Sequence, residues 1–394
     1  MQSQKSYKVY LFPFITAIIG QVMSVSEVVA APNDIDQSLK VNCENIYQAP
    51  GHGKSFYEHN PTYKDVRDDT KDWVFATPEE RGLDPEALRM GLEELRKSKR
   101  AFSAIIIKDG AIVLEEYFNG SSRNDSNNIH SASKSMMSAL IGIAINQGHI
   151  KSIDQKISEL LPAYFSPTDS KRKKALTVRH LLTMSSGFKW RDDPISGTEY
   201  DIQEKEDWVH EILSLPFSSR PGKEYFYNTG LTHLMSAIIS ENTGVSACEF
   251  AHKNLFGPLG ITAEHWGRDP QGYYSGGYNL YMTPREMAKF GLLVLQGGRT
   301  PQGQIIPVDW IKQSVTAYFR PYKDFSYGYN WWITRVNKHV IPYAWGWGGQ
   351  AIYVHPKLRT VVVITRNTSD AGLVGDEPAN HNFIKKYVRP ISER

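Results

Sequence analysis

Ser131 and Lys134 are a pair of residues whose side chains could cleave an acyl bond. They are three positions apart, nearly one helical turn, so their side chains share a face and the amine can reach the hydroxyl. A serine hydroxyl is a weak nucleophile until a base takes its proton, and burial against the apolar run 136–145 favours the neutral amine that could take it. Ser131 also begins this helix, where free backbone N–H groups can hold an oxyanion.

The Ser-x-x-Lys spacing alone is not specific, because it recurs at positions 170–173 and 186–189. The first of these falls in the basic run 171–174, which we interpret as a solvated loop. The second contains Gly187 and leads away from a helix. Only Ser131 begins a long buried helix, and this context predicts it as the nucleophile.

Two later segments could complete the site. Segment 221–230 begins with a Pro-Gly turn and presents Tyr227, with Tyr225 as an alternative. A phenol acts as a base only where a nearby cation favours its ionised form. Lys134 could supply that cation. Segment 345–350 has three glycines in four positions. Glycines let a backbone approach a ligand closely, so a strand edge here could bind an amide substrate or complete an oxyanion hole; the alternative is a glycine-rich hairpin turn.

The pattern of apolar residues predicts the elements that position these segments. Predicted helices cover about 85–95, 136–145, 177–182, 231–239 and 284–295, with a terminal helix from about 380. Predicted strands cover 104–107 and 112–114 early in the chain, then 329–333, 351–354 and 360–365 late. We therefore expect an α+β fold, with an antiparallel sheet built from both chain ends, flanking helices and a helical subdomain inserted at about 130–300.

The N-terminus predicts export. Two lysines precede an apolar run at about 9–25, and Val28-Val29-Ala30 offers a signal-peptidase site, so we assign 1–30 to a signal peptide, 31–72 to an irregular arm and 73–390 to the hydrolase domain. An uncleaved membrane anchor is the alternative. We expect a periplasmic or secreted protein with no stable membrane insertion after signal removal. In that compartment Cys43 and Cys248 could pair, although two free cysteines are an equal alternative.

Composition excludes other classes. The net charge of +3 over 394 residues and the lack of a basic patch argue against a nucleic-acid partner. The sequence has no HExxH motif and no histidines at ligand spacing, so we expect neither metal nor cofactor. It also has no GxSxG elbow, and we interpret His130 as a packing or rim residue. The expected partner is a small-molecule ester or amide.

The three segments occur in the order and spacing of the class C β-lactamase and penicillin-recognising serine enzyme superfamily. The chain most resembles the branch containing 6-aminohexanoate-dimer hydrolase and related esterases. Segments 177–187 and 276–291 support the resemblance, which covers roughly 73–390. It implies that Ser131 is acylated and that Tyr227 delivers a proton to the leaving group. Lys134 would either accept the Ser131 proton or support the nucleophile electrostatically. Either Lys134 or Tyr227 could be the first base.

The resemblance also implies that the backbone N–H groups of Ser131 and Trp347 hold the oxyanion, with Trp345, Gly346 and Gly348 beside the substrate. The sequence departs from the β-lactamase pattern in having Tyr227-Asn228-Thr229 for Tyr-x-Asn and no lysine of the Lys-Thr-Gly motif. We therefore expect an esterase or amidase. The alternatives are a β-lactamase or D-alanyl-D-alanine peptidase, and a catalytically silent penicillin-binding-type sensor. Six aromatic residues could line an apolar acyl pocket or simply form core: Tyr273, Tyr274, Tyr278, Trp331, Trp345 and Trp347.

Overall fold

A computed structural model of the chain describes residues 43, 62–65, 69–191, 197–263, 265–368 and 377–393. The expected signal peptide and most of the arm 31–72 lie outside them, so the domain boundaries stay predictions. Within the described ranges, no helix is both long and apolar enough to cross a membrane.

The described residues form twelve α-helices and thirteen strands, numbered here in chain order. The helices are α1 Pro85–Lys97, α2 Ser133–Asn146, α3 Ile157–Leu160, α4 Lys171–Lys174, α5 Val178–Leu182, α6 Thr198–Gln203, α7 Trp208–Leu213, α8 Thr229–Thr243, α9 Ala247–Ala251, α10 Pro284–Leu295, α11 Val308–Ser314 and α12 Glu377–Tyr387. The strands are β1 Tyr63–Lys64, β2 Val74–Phe75, β3 Ala101–Lys108, β4 Ala111–Tyr117, β5 Asp125–Asn128, β6 Tyr281–Met282, β7 Arg299–Thr300, β8 Gly303–Gln304, β9 Ser326–Tyr327, β10 Trp332–Val336, β11 His339–Gly346, β12 Gln350–His355 and β13 Thr360–Arg366.

The main sheet has eight strands in the order β2-β4-β3-β13-β12-β11-β10-β9. The early strand β3 pairs with the late strand β13, so that Ile105 lies opposite Val363. This confirms the predicted α+β fold with a sheet built from both chain ends. Neighbouring strands are antiparallel except the edge pair β2 and β4, which is parallel.

Side chains alternate across the central strands, as they must in a pleated sheet. On β3, Ile105 and Ile107 face the large core that contains α2, α8 and α10. Ala104 and Ile106 face a smaller core with α1 and α12 on the opposite face. The sheet therefore lies between two helical layers, and the larger layer holds the predicted site residues.

Two local predictions are wrong. The run 171–174 forms the short helix α4 rather than a loop, and the strand expected at 329–333 begins only at Trp332. The structure also adds β11, which the sequence pattern did not indicate because Pro342 interrupts its apolar run. A turn at Asn337 and Lys338, both with positive φ, joins β10 to β11.

The two cysteines form a disulfide. Cys43 is bonded to Cys248, with their Cα atoms 6.0 Å apart. Of the two alternatives open from the sequence, the structure has the paired one. The bond ties the N-terminal arm to α9, which follows α8.

Candidate active site

Ser131 lies in a 3-10 turn, His130–Ala132, that runs directly into α2. The Nζ of Lys134, in the first turn of that helix, donates to Ser131 Oγ at 2.8 Å. Lys134 is only 2% exposed, while Ser131 is half-buried. The structure thus brings together the two residues that the sequence places on one face.

A backbone carbonyl completes the surroundings of this lysine. Lys134 Nζ also donates to the Gly277 carbonyl oxygen at 2.9 Å. A methyl group added at Gly277 would stand 2.5 Å from Thr232 Oγ1 and 2.9 Å from Lys134 Nζ, so no larger residue fits without displacing its neighbours. Gly277 was missed as a site residue, although it belongs to segment 276–291 that carried the resemblance.

A pair of asparagines joins the two segments that contact Lys134. Asn128 Oδ1 accepts from the backbone N–H groups of His130 and Asn279, and Asn128 Nδ2 donates to Asn279 Oδ1. Both side chains are buried. Asn128 therefore fixes the turn that carries Ser131 against the loop that carries Gly277. Nothing in the sequence spacing indicated this contact between residues 151 positions apart.

Tyr227 lies at this lysine, and Tyr225 lies further along the same wall. Lys134 Nζ is 5.1 Å from the ring centroid of Tyr227. The ring of Tyr225 instead contacts Tyr327, with centroids 5.1 Å apart, and Phe319 at 6.3 Å. The geometry therefore favours Tyr227 as the phenol that faces the amine.

The glycine-rich segment forms the end of β11 and a tight turn into β12. A methyl group added at Gly346 would stand 2.1 Å from the Ile129 carbonyl oxygen and 3.2 Å from the Ala132 backbone nitrogen. The strand end therefore lies directly against the turn that carries Ser131. Gly348 and Gly349 have φ values of 74° and 95°, so the hairpin-turn interpretation also holds. Trp345 and Trp347 are half-buried.

Of the two roles open for the six aromatic residues, three of them have the core role. Tyr274, Tyr278 and Trp331 are at most 7% exposed and belong to the core. Tyr273 donates to Glu241 at 2.6 Å, in an exposed contact.

Other rings line the site instead. Trp332 stacks on Tyr227 with centroids 5.9 Å apart, and Tyr322 stacks on Trp332 at 6.3 Å. Tyr322 is 53% exposed, so the three rings lead from Tyr227 to solvent. The tryptophan pair 331–332 was visible in the sequence, but the sequence did not indicate that Trp332 stacks on Tyr227 while Trp331 stacks on Phe290 in the core.

His130 precedes Ser131 and is buried. Its ring is 2% exposed, and burial, together with the charge of Lys134, lowers its pKa to about 3. Among the described residues its Nε2 has no hydrogen-bond partner. The imidazole is therefore neutral at ordinary pH and packs beneath the turn, in agreement with the packing role expected for it.

Comparison with known proteins finds hydrolases that are similar to this chain. The chain is 24% identical over 324 residues to 6-aminohexanoate-dimer hydrolase of Paenarthrobacter ureafaciens, covering 73% of this chain and 79% of that protein. It is 33% identical over 103 residues to lovastatin esterase of Penicillium rubens, covering 25% of this chain and 26% of that one. A penicillin-binding protein homologue from Caulobacter crescentus has the same fold, with a TM-score of 0.62 at 16% identity over 79% of this chain and 97% of the homologue.

The sequence model of the family described as Beta-lactamase matches residues 92–382, well over half of the chain. The matched region contains the Ser131–Lys134 pair, Tyr227, Gly277 and the end of β11. The chain therefore belongs to the beta-lactamase family of hydrolases.

Proposed function

We propose that the protein hydrolyses an ester or amide through a covalent acyl-enzyme on Ser131. The observation that carries the proposal is the 2.8 Å contact between Lys134 Nζ and Ser131 Oγ, made by a buried lysine beside the ring of Tyr227. The names of the relatives, one a 6-aminohexanoate-dimer hydrolase and one an esterase, support this substrate class.

The proposed reaction uses Lys134 as a neutral amine. One of its N–H groups donates to the Gly277 carbonyl, and in the reactive state the 2.8 Å contact with Ser131 reverses, so that the hydroxyl donates to the amine nitrogen. Oγ attacks the substrate carbonyl as its proton moves to Lys134. Backbone N–H groups of Ser131 and Trp347 hold the oxyanion.

Tyr227 then passes its hydroxyl proton to the leaving group and regains a proton from Lys134, while the carbonyl carbon loses its bond to the leaving oxygen or nitrogen. Water attacks the acyl-enzyme, with Lys134 or Tyr227 as the base. This second attack releases the acid and restores the Ser131 hydroxyl.

Labelling with a fluorophosphonate probe tests the nucleophile. We expect one label per chain in the wild type and none in Ser131→Ala, with intact-mass detection of an acyl adduct across a panel of linear amides, esters and lactams. The variant Ser133→Ala, two positions away, is the control and keeps the label. A wild-type protein that takes no label and no acyl group would indicate a catalytically silent sensor instead.

The preference for esters and amides over β-lactams rests on the missing lysine of the Lys-Thr-Gly motif. In place of the lysine that helps hold a β-lactam carboxylate, the chain has the segment Ala344-Trp345-Gly346. We expect turnover of p-nitrophenyl esters to exceed that of nitrocefin. Efficient nitrocefin hydrolysis would favour the β-lactamase or peptidase alternative.

We also propose that the protein is exported, to the periplasm or beyond the cell. The Cys43–Cys248 disulfide supports this, because such bonds persist in oxidising compartments. Mass spectrometry of the protein recovered from its native cell tests the cleavage expected after Ala30; an intact N-terminus would favour the anchor alternative.

A further inference from the structure

The disulfide has a histidine beside it. Cys248 lies on α9, and His252 follows four positions later on the same helical face. At His252 the helix widens into a π-turn, His252–Phe256, a distortion frequently found at functional sites. One ligand atom from each of Cys43, Cys248 and His252 lies within 4.8 Å of the others.

The proposed hydrolysis gives this imidazole no role. Its Nε2 is buried and has no hydrogen-bond partner among the described residues. Buried polar atoms usually have partners, so an imidazole that has an unpartnered nitrogen and lies close to two sulfurs suggests a ligand site.

We propose that reduction of the Cys43–Cys248 disulfide converts this corner into a zinc site, with Cys43 Sγ, Cys248 Sγ and the His252 imidazole as ligands. A dithiol reductant supplies two electrons and two protons and becomes a disulfide itself, while the S–S bond breaks into two thiols. Zn²⁺ then displaces the two thiol protons. Water takes the fourth position.

The ligand types and the charge favour zinc. Thiolate and imidazole are the ligands that Zn²⁺ takes in proteins. Two thiolates and a neutral imidazole balance the charge of Zn²⁺, which suits a site where Cys248 is 0% and Cys43 is 8% exposed, because a net charge there would be costly. Two sulfurs bound to one tetrahedral zinc are about 3.8 Å apart, so shifts of about an ångström bring the three ligands together. The ion would then hold the arm to α9 when the covalent link is open.

Cobalt titration of the reduced full-length chain tests the site, since Co²⁺ reports thiolate ligation by its visible and charge-transfer bands. We expect one Co²⁺ per chain with tetrahedral bands, displaced by Zn²⁺, and no bands in the oxidised protein. His252→Ala should weaken binding by at least about 100-fold, more than the loss of an outer-shell partner costs. The exposed His149, replaced by alanine, is the matched control.

A melting curve provides the second readout. Stoichiometric Zn²⁺ should raise the Tm of the reduced wild type and leave that of the oxidised protein unchanged. The oxidised His252→Ala variant should melt as a folded protein, which separates ligand loss from misfolding. Cobalt binding that is absent in the reduced wild type, or equal in His252→Ala, would overturn the proposal.

Discussion

The helices that hold the sheet and the helices that carry the site begin in different ways. The carboxylate of Asp84 caps α1 by accepting from two backbone N–H groups, and α10 begins with a capping box between Thr283 and Glu286. By contrast, the N-cap residues of α2 and α8 are Ala132 and Asn228, and neither makes a side-chain capping hydrogen bond.

This difference separates stability from chemistry. A side-chain cap typically contributes about 1 kcal/mol to helix stability, and α1 and α10 have this contribution. The start of α2 has no side-chain cap because the turn that carries Ser131 runs directly into it: the Ala132 N–H donates to the Ile129 carbonyl, and the Ser133 N–H donates to the His130 and Ser131 carbonyls. The turn that holds the proposed nucleophile therefore takes the place of a cap.

The largest effect is expected from two buried lysines, one in each kind of helix. Lys134→Met should lower the rate of ester hydrolysis by about 10²–10⁴-fold, because it removes the proposed base, without a large loss of stability. Lys289 in α10 donates instead to Asp72 and to the Gly260 carbonyl. Lys289→Met should cost about 1–3 kcal/mol of stability while kcat is kept. Equal effects of the two variants on kcat would contradict the comparison.

The next effect concerns two glycines of one loop. Gly277→Ala forces the loop away from Lys134 and Thr232, and a displacement of this size should lower kcat about 100-fold. Gly272 has φ of 95° and no atom within 4 Å of an added methyl group. Gly272→Ala should therefore cost about 1–2 kcal/mol through backbone strain alone and leave kcat unchanged. Steady-state kinetics and urea unfolding of both variants check this.

Acid should destabilise both regions through buried imidazoles. Burial lowers the pKa of His130 to about 3 and of His355 to about 4, below the 6.5 of the unfolded chain. Below pH 6.5 the unfolded chain therefore binds protons that the folded chain does not. As the pH is lowered, the free energy of unfolding decreases by up to about 1.4 kcal/mol per pH unit for each such group. Tm should drop between pH 7 and 4, less steeply in His130→Leu than in the wild type. His149→Leu, at an exposed position, is the control; three parallel curves would refute the interpretation.

The smallest expected effect concerns the stability contributed by two N-cap residues, Thr283 and Asn228. Thr283→Ala removes a capping hydrogen bond and should cost about 1 kcal/mol. Asn228 is 1% exposed, and its amide has no hydrogen-bond partner among the described residues, so Asn228→Ala should cost less. Chemical denaturation measures both, and a larger cost at Asn228 would show that its amide supports the helix.

The elements that sequence reasoning found are those with local signals. The hairpin of β3 and β4, the helix α10 and the buried helix α2 follow from apolar periodicity and turn residues within a few positions. The Ser131–Lys134 contact is equally local, since both residues lie on one helical face. Such features need no knowledge of the rest of the chain.

The contacts that were not predicted from the sequence join distant segments. Asn128 meets Asn279, and the Gly277 carbonyl meets Lys134, only because β5 pairs with β6. Likewise, Trp332 stacks on Tyr227, which a distant segment of the chain contributes. The packing of helices and loops determines these contacts, and the apolar periodicity of a single segment does not predict them.

The pairing of β3 with β13 also constrains how the molecule can be assembled. Residues 101–108 meet their central partner only after residues 360–366 have been synthesised, and the turn that carries the nucleophile meets its glycine support only when position 346 has arrived. Pairings of such long sequence separation form slowly. A growing or truncated polypeptide therefore has the hydroxyl but not its surroundings, which delays reactivity until residues 346 to 366 have been synthesised.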